Sequence, residues 1–277
     1  MQRWRGALIV TVLLSELYVH VCSFVNIRSN TPPNIPSSAL FEKNELLSDK
    51  SFAELYYRDE SRRLMPKWLV DRCNFCGFHN PTIVQKRALD VIFEGDDVVL
   101  QAQTGSGKTL AYLIPLLSKI NPNRAAVQAV VCVPTRELGL QVARVAKRLV
   151  AGSNKSEENS KKIMVMSVLQ GSTNKRQRAW AWAEPPHVVI GTPDELGKMV
   201  SKGGIRYNSV EYVVVDEVDA CLGNRQTSNE LHLLLSRYLS PTFNEAEDDA
   251  NIDTDELFAK DRIFYNKRRQ TVFASAT

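Results

Sequence analysis

The feature that constrains this chain most is a glycine-rich turn between an apolar run and an amphipathic segment. The turn reads AQTGSGKT at residues 102–109, after VVLQA at 98–102 and before TLAYLIPLLSKI, which has helical spacing. Gly105 and Gly107 allow backbone N–H groups to point at phosphate oxygens, and the helix N-terminus adds the positive end of its dipole. A strand, TGSGKT and a helix in this order predict a phosphate-binding loop.

Four residues in this loop and after a later apolar run carry the chemistry of phosphate transfer. Lys108 is placed to reach the β- and γ-phosphates of a nucleotide, and the Thr109 hydroxyl is placed to hold Mg²⁺. The run VVV is followed directly by Asp216 and Glu217. Asp216 can hold Mg²⁺, usually through water, and Glu217 can orient and activate the attacking water. Two acids that cap the following helix are the alternative. Together these residues predict a Mg²⁺-dependent nucleoside triphosphatase.

Apolar runs alternate with amphipathic segments from residue 97 onward. Predicted strands span 98–102, 126–135, 163–171, 187–192, 210–219 and 270–277, and predicted helices between them include 136–150, 174–184, 194–203 and 229–239. Strands that are apolar on both faces and separated by helices predict an α/β fold, a parallel sheet with helices on both faces. Such sheets bind ligands at the carboxyl ends of their strands, where the motifs fall.

The set of motifs resembles the DEAD-box RNA helicase family over roughly residues 68–277, the first of that family's two RecA-like domains. The matching segments are GFHNPTIVQ (77–85, the adenine-reading Q motif), AQTGSGKT (102–109, motif I), PTRELGLQ (134–141, motif Ia), QGS (170–172, in place of a Gly-Gly turn), GTPDEL (191–196, where the family reads TPGR), DEVD (216–219, motif II) and SAT (275–277, motif III). The resemblance implies a RecA-like P-loop NTPase fold, ATP and Mg²⁺ as cofactors, and RNA as a partner.

The resemblance also implies which residues bind the nucleotide and act on it. In the family the Q-motif glutamine, here Gln85, bonds to the adenine edge, and an isolated aromatic, here Trp68, stacks on the ring, which selects ATP over GTP. The implied nucleotide-binding set is Trp68, Pro81, Thr82, Gln85, Ala102, Gln103, Thr104, Gly105, Ser106, Gly107, Lys108, Thr109 and Asp219. The implied catalytic set is Lys108, Asp216, Glu217, Ser275 and Thr277, with Thr109 and Asp216 holding the metal. Motif III is implied to bond to Asp219 and to couple hydrolysis to strand separation.

The implied RNA-binding residues lie at, or directly after, the carboxyl ends of three predicted strands. They are Pro134, Thr135, Arg136, Gly171, Thr192 and Pro193. Local capping or pairing on its own helix is the alternative for Arg136. Asp194 and Glu195 replace the Gly and Arg of the family's TPGR, so two carboxylates stand where a basic residue contacts phosphate, and we expect weaker RNA binding at this edge. Smaller departures are Gly139 for Ala, Ser172 for Gly and Val218 for Ala.

Composition divides the chain into a leader and a domain. Residues 1–45 combine a basic start, a short apolar run and an acid-poor, Ser-rich stretch, which predicts a disordered two-part leader for plastid import; secretion, a mitochondrial leader or a mis-assigned start codon are the alternatives. We expect no stable membrane insertion after leader removal, because the apolar run is too short to span a bilayer. Residues 46–277 form the predicted helicase ATP-binding domain, with an acidic insertion at 241–261 that is either a solvated loop or a regulatory segment.

Two local patterns have ordinary interpretations beside more specific ones. Cys73 and Cys76 form a CxxC pair without a second ligand pair, which favours two thiols over a metal site. The segment NKRQRAWAW could stack on single-stranded RNA, but Trp180 and Trp182 are two residues apart and so face different sides of a helix. We therefore expect one tryptophan in the core and a solvated basic end.

The leading functional hypothesis is an ATP-binding, RNA-dependent ATPase domain of an RNA helicase that remodels RNA duplexes. The chain contains no second RecA-like domain, which we expect in the complete protein and which would supply arginine fingers. This chain alone is therefore expected to hydrolyse ATP very slowly. A non-catalytic, nucleotide-gated RNA-binding or regulatory module is the main alternative, and a DNA helicase of the same superfamily is a further one. The net charge of +4 permits an acidic partner without requiring one.

Overall fold

Six short strands form one parallel sheet, as the alternating apolar runs predict. The computed structural model describes residues 47–56, 65–151, 153, 162–170, 179, 181–202, 204–239 and 269–276. The strands are β1 (Val98–Gln101), β2 (Ala129–Cys132), β3 (Val165–Val168), β4 (Val188–Gly191), β5 (Tyr212–Val215) and β6 (Gln270–Ser275). Their order in the sheet is β1-β6-β5-β2-β4-β3, and every neighbouring pair is parallel.

Besides the helical residues 181–183, the described part of the chain has eight α-helices and one π-helical turn around the sheet. They are α1 (Phe52–Tyr56), α2 (Lys67–Phe75), α3 (Ile83–Glu94), α4 (Lys108–Lys119), α5 (Arg136–Val150), α6 (Pro193–Ser201), α7 (Val218–Gly223) and α8 (Arg225–Leu233), followed by the π-helical turn Leu234–Tyr238. Helix α5 has the predicted bounds. The predicted helix 229–239 is helical in two parts, because its last turn widens to the π-helical hydrogen-bond pattern.

Alternate residues of each strand enter two separate apolar clusters, one on each face of the sheet. The first includes Val131 and Val214 with side chains of α1 to α5. The second includes Val130 and Val213 with side chains of α6 to α8. A strand buried on both sides has to be apolar at every position, which explains why the sequence shows continuous runs instead of alternation. The predicted fold class, a parallel sheet with helices on both faces, is confirmed, while most of the predicted helix 174–184 lies outside the described residues.

Strand ends are the part of the sequence prediction that the structure corrects. The predicted strand 210–219 is too long, because β5 ends at Val215 and α7 already begins at Val218. Glu217 causes the break, since its φ of 47° places it in the left-handed region, where no strand continues. The predicted strand 126–135 is likewise reduced to Ala129–Cys132, and α5 starts directly after Thr135.

Several sequence predictions lie outside the described residues. They concern the leader 1–45, the insertion 241–261, Gly171, Ser172, Trp180 and Thr277. Trp182 is described and is 55% exposed, with the Arg206 guanidinium 4.7 Å from its ring centroid. No helix within the described ranges is long and apolar enough to cross a membrane.

Candidate functional site

The strand order brings three distant motifs to one edge of the sheet. Strand β6 lies between β1 and β5, with Gln101 paired in register with Ser275 and Val215 with Phe273. All strands are parallel, so the phosphate loop after β1, Ser275 at the end of β6 and Asp216 after β5 share the carboxyl edge. Ser275 is buried there, while Asp219 lies half-buried in the first turn of α7.

The phosphate loop adopts the backbone that its glycines permit. Gly105 and Gly107 have φ values of 85° and 91°, a region that side-chain-bearing residues rarely adopt. Lys108 is the first residue of α4 and is buried; its Nζ donates to the carbonyl oxygens of Ala102 and Gln103. Burial lowers the pKa of Lys108, and the charges of three nearby acids oppose that shift; these acids are Asp216, Glu217 and Asp219.

Two Q-motif residues, Thr82 and Gln85, form hydrogen bonds to the backbone of this loop. Thr82 caps α3 in a capping box with Gln85: its hydroxyl accepts the Gln85 N–H, and its own N–H donates to the Gln85 Oε1 at 2.9 Å. The Thr82 hydroxyl donates to the Ser106 carbonyl at 2.9 Å, and the Gln85 Nε2 donates to the Gly107 carbonyl at 3.1 Å. A Cβ on Gly107 would lie 2.3 Å from the Gln85 Nε2. Motif I and the Q motif therefore form one packed unit.

Other predicted nucleotide-binding residues differ in how far they are exposed to solvent. Pro81 and Ala102 are buried, and the Pro81 carbonyl accepts the Ser48 N–H at 2.8 Å. Gln103 and Thr104 are exposed at the loop surface. Trp68 lies on α2, half-buried against the first apolar cluster, so part of its ring area is already used in packing.

Motif II presents a buried carboxylate with a donor on each oxygen. Asp216 is 3% exposed; its Oδ1 accepts the Glu217 N–H at 3.0 Å, and its Oδ2 accepts the Tyr112 hydroxyl at 2.7 Å. Glu217 occupies the N-cap position of α7 but makes no side-chain capping bond. The capping alternative for this pair of acids is therefore wrong for Glu217.

The electrostatics of motif II are unfavourable to ionised acids without a cation. Burial raises the pKa of Asp216, although the bonds from Tyr112 and Glu217 and the charge of Lys108 lower it. Burial also raises the pKa of Glu217, and the charges of Asp216 and Asp219 raise it further. Glu217 is the one non-glycine residue with positive φ in the described part of the chain. Backbone strain of this kind, of order 1–3 kcal/mol, concentrates at functional sites.

Sequence reasoning missed Tyr112. The available signal was a single hydroxyl in the otherwise apolar segment LAYLIPLL, four residues after Lys108. Nothing local distinguishes it from a core tyrosine, because its partner Asp216 is 104 positions away in the chain.

The predicted RNA-binding residues that the structure describes follow β2 and β4, which are neighbours in the sheet with Cys132 paired to Gly191. Thr135 caps α5, since its hydroxyl accepts the Leu138 N–H at 3.3 Å. Arg136 is exposed and forms no ion pair with any described residue, so the local pairing proposed as an alternative has no support there.

Two departures from the family pattern are accommodated by local packing. Gly139 leaves room for Leu169, whose Cδ2 would lie 2.6 Å from a Cβ at residue 139. Pro193 starts α6, with Asp194 and Glu195 in its first turn, where the helix dipole favours negative charge. Lys198 bonds to both carboxylates, at 2.5 Å to Asp194 and 3.3 Å to Glu195.

The comparisons with known proteins agree with this geometry. The family model for the DEAD/DEAH box helicase matches residues 82–277. The chain belongs to the DEAD/DEAH box helicase family. That assignment accounts for the position of motifs I, II and III on adjacent strand ends.

Two relatives of this DEAD/DEAH box helicase chain show the extent of the match. It is 42% identical over 186 residues to "DEAD-box ATP-dependent RNA helicase 58, chloroplastic" of Arabidopsis thaliana, which covers 67% of this chain and 39% of the relative. It is 35% identical over 155 residues to "DEAD-box ATP-dependent RNA helicase CshB" of Bacillus subtilis. That match covers 56% of this chain and 34% of the relative. The chain thus spans less than half the length of these relatives.

Solved structures share the fold. The Dbp5 protein of S. cerevisiae bound to RNA and ADP BeF3 has a TM-score of 0.59 at 22% identity, covering 82% of this chain and 46% of that one. A DEAD box protein from Methanococcus jannaschii has a TM-score of 0.56 at 22% identity, and the match covers 77% of this chain and 48% of that one. The predicted RecA-like architecture is confirmed.

The donor set suits magnesium that arrives with a nucleotide. Asp216 supplies a carboxylate and Thr109 a hydroxyl, the hard oxygen ligands that Mg²⁺ takes beside water and phosphate oxygens. No group of three or more His, Cys, Asp or Glu side chains within the described ranges could hold a metal by itself. Cys73 and Cys76 are free thiols, and burial raises the pKa of Cys73 to about 12.

Proposed function

We propose that this chain is the ATP-binding domain of an RNA helicase, which binds RNA and hydrolyses ATP with Mg²⁺. The observation that carries the proposal is the meeting of Lys108, Asp216 and Glu217 at the carboxyl edge, through strands β1, β6 and β5. The relatives named above are called ATP-dependent RNA helicases, and the Dbp5 structure contains RNA and ADP BeF3.

The nucleotide phosphates would bind over the loop at residues 102–109. Lys108 would exchange its bonds to the Ala102 and Gln103 carbonyls for bonds to phosphate oxygens, and its partly desolvated ammonium interacts strongly with added negative charge. Bound Mg²⁺ would neutralise charge on the β- and γ-phosphates, held by Thr109 and Asp216. Glu217, whose pKa is raised, is suited to accept a proton from the attacking water.

The adenine would be read by the Q motif. Thr82 and Gln85 form hydrogen bonds to the loop backbone at Ser106 and Gly107. A base bound by these two residues would therefore also contact the residues that hold the phosphate-binding loop. Trp68 and Pro81 would complete the base-binding side, and Asp219 with Ser275 and Thr277 would connect hydrolysis to strand separation.

RNA would bind along the ends of β2 and β4, beside the nucleotide edge. Strand β2 is the neighbour of β5, so Pro134, Thr135 and Arg136 lie next in the sheet to the motif II strand. Thr192 and Pro193 follow β4, and Gly171 would add backbone contact. The exposed guanidinium of Arg136 is suited to a phosphate.

A second RecA-like domain is part of the proposal. The relatives are more than twice as long as the matched region, and in phosphoryl transfer an arginine finger raises turnover by orders of magnitude. We propose that such a domain, in the complete protein, closes over the carboxyl edge described here.

Plastid localisation is proposed on the leader composition and on relatives named chloroplastic in Arabidopsis thaliana and Oryza sativa. Another relative is named mitochondrial, so import of a fluorescent fusion of residues 1–45 into plastids or mitochondria distinguishes the two.

A nucleotide-gated RNA-binding module without catalysis is the second candidate. Asp194 and Glu195 at the predicted RNA edge favour a function other than ordinary duplex remodelling.

The two candidates are separated by Glu217→Gln, with the exposed Glu94→Gln as matched control. For an ATPase, we expect Glu217→Gln to lower single-turnover hydrolysis of radiolabelled ATP at least tenfold while nucleotide binding stays within about twofold, and Glu94→Gln to behave as wild type. Wild-type protein that binds ATP and RNA but shows no Glu217-dependent hydrolysis, even with excess RNA, would support the non-catalytic module.

A further inference from the structure

Tyr112 places a hydroxyl inside the candidate site, on an element that otherwise packs the core. It lies on α4, one turn after Lys108, and is 1% exposed. Its hydroxyl donates to the Asp216 Oδ2 at 2.7 Å. The bond joins the first turns of the phosphate-loop helix to the carboxylate at the end of β5.

Packing does not account for this hydroxyl. The neighbouring positions on α4 are apolar and buried, and a phenylalanine would fill the same ring volume. A buried tyrosine hydroxyl needs a partner, and this one is directed at an ionisable group of the site rather than at a backbone carbonyl.

The Tyr112 hydroxyl provides the second of two hydrogen bonds that hold the Asp216 carboxylate in place. Asp216 receives one N–H on Oδ1 from Glu217, on its own turn, and one O–H on Oδ2 from Tyr112, on a different element. Two donors on the two oxygens restrain rotation about the Cβ–Cγ bond, and each oxygen keeps a lone pair for a further ligand.

We propose that Tyr112 is a positioning residue for magnesium: its hydroxyl holds the Asp216 carboxylate in the orientation that receives Mg²⁺ on nucleotide phosphates. The inference rests on the proposed function. Hydrogen-bond partners of metal-binding groups commonly set metal affinity by one or two orders of magnitude, because they orient the ligand before the metal arrives.

The test is Tyr112→Phe in the full chain, with Tyr56→Phe as the matched control. Tyr56 is equally buried and also donates to a carboxylate, that of Asp90 at 3.2 Å, outside the candidate site. Binding of a fluorescent ATP analogue is titrated with MgCl₂, and the binding constant in EDTA is measured separately. We expect the Mg²⁺ midpoint to rise about tenfold in Tyr112→Phe, with unchanged binding in EDTA and no change in Tyr56→Phe.

A double-mutant cycle with Asp216→Asn tests whether the hydroxyl acts through this carboxylate. We expect Tyr112→Phe to add no further change in Mg²⁺ midpoint once Asp216 is replaced. A full additional tenfold loss in that background would overturn the proposal.

The experiment distinguishes failure of the positioning role from failure of the proposed function. If wild-type protein binds the analogue with a clear Mg²⁺ dependence and Tyr112→Phe has the same midpoint, the positioning role is wrong, whatever the thermal stability of the variant. If wild-type protein shows no Mg²⁺-dependent nucleotide binding at all, the proposed function fails, and the positioning role fails with it.

Discussion

The Gln85 side chain donates to the Gly107 carbonyl at 3.1 Å, so the residue expected to read adenine already holds the loop expected to bind phosphate. Its other amide atom accepts the Thr82 N–H at 2.9 Å. The proposed recognition of adenine and the observed loop conformation therefore depend on one buried amide.

Replacing Gln85 with alanine removes this connection. We expect Gln85→Ala to weaken ATP binding at least tenfold and to reduce the preference for ATP over GTP, because the base contact and a loop anchor are both lost. Isothermal titration with ATP and GTP measures both effects. Gln128→Ala is the control: Gln128 is also 3% exposed and is bonded to Asn121 and Arg124. Equal loss of ATP binding in both variants would show a general effect on folding.

Gly107→Ala tests the close approach of the loop to Gln85. An alanine at a φ of 91° costs about 1–2 kcal/mol, and its Cβ would in addition lie 2.3 Å from the Gln85 Nε2. Gly95→Ala has a similar φ of 96° with no atom within 4 Å, so it carries only the backbone cost. We expect Gly107→Ala to be the less stable of the two in urea unfolding and to lose ATP binding. Identical unfolding free energies would contradict the packed unit of motif I and the Q motif.

Glu217→Gln is expected to stabilise the ligand-free protein at neutral pH. The folded-state pKa of Glu217 is raised by burial and by the charges of Asp216 and Asp219, so its ionised form is disfavoured in the folded chain relative to the unfolded chain. The penalty is absent below the unfolded pKa and grows as the pH rises through the folded pKa. Thermal midpoints of the variant and wild type should therefore separate at pH 7.5 and converge as the pH is lowered. Glu94→Gln should show no such trend, and a midpoint below wild type for Glu217→Gln at pH 7.5 would contradict the prediction.

Arg136→Ala tests the predicted RNA edge. One lost phosphate contact should lower the slope of log affinity against log salt by about one and weaken binding to all sequences alike. Fluorescence anisotropy with a labelled single-stranded RNA at several salt concentrations measures the slope. Arg144→Ala, on the same helix and also exposed, is the control. If the two variants change the slope equally, the predicted contact at Arg136 is wrong.

Asp194→Asn tests whether the acidic turn opposes RNA binding. The carboxylate is bonded to Lys198 and lies after β4, next to the β2 edge. Removing one negative charge near phosphates should raise RNA affinity severalfold at low salt, and the gain should fall as salt is added. Asp71→Asn, exposed on α2, should have no effect. An unchanged affinity for Asp194→Asn would mean that RNA does not pass this turn.

The elements and the phosphate loop could be predicted from the sequence because their determinants are local. Continuous apolar runs indicate strands buried on both faces, and the bounds of α5 follow from its helical periodicity and the Thr135 cap. The conformation of AQTGSGKT follows from two glycines that tolerate positive φ. The strand 210–219 was predicted too long because hydrophobicity does not report the left-handed turn at Glu217.

Tertiary structure alone decided how these parts meet. The sheet order β1-β6-β5-β2-β4-β3 does not follow the chain order, so no local pattern places Ser275 beside Gln101 or β5 beside β2. The bonds from Gln85 to Gly107 and from Tyr112 to Asp216 depend on side-chain directions across packed elements. Periodicity in a sequence specifies which face of an element is buried, but the partner across the core is set by the packing of the whole domain.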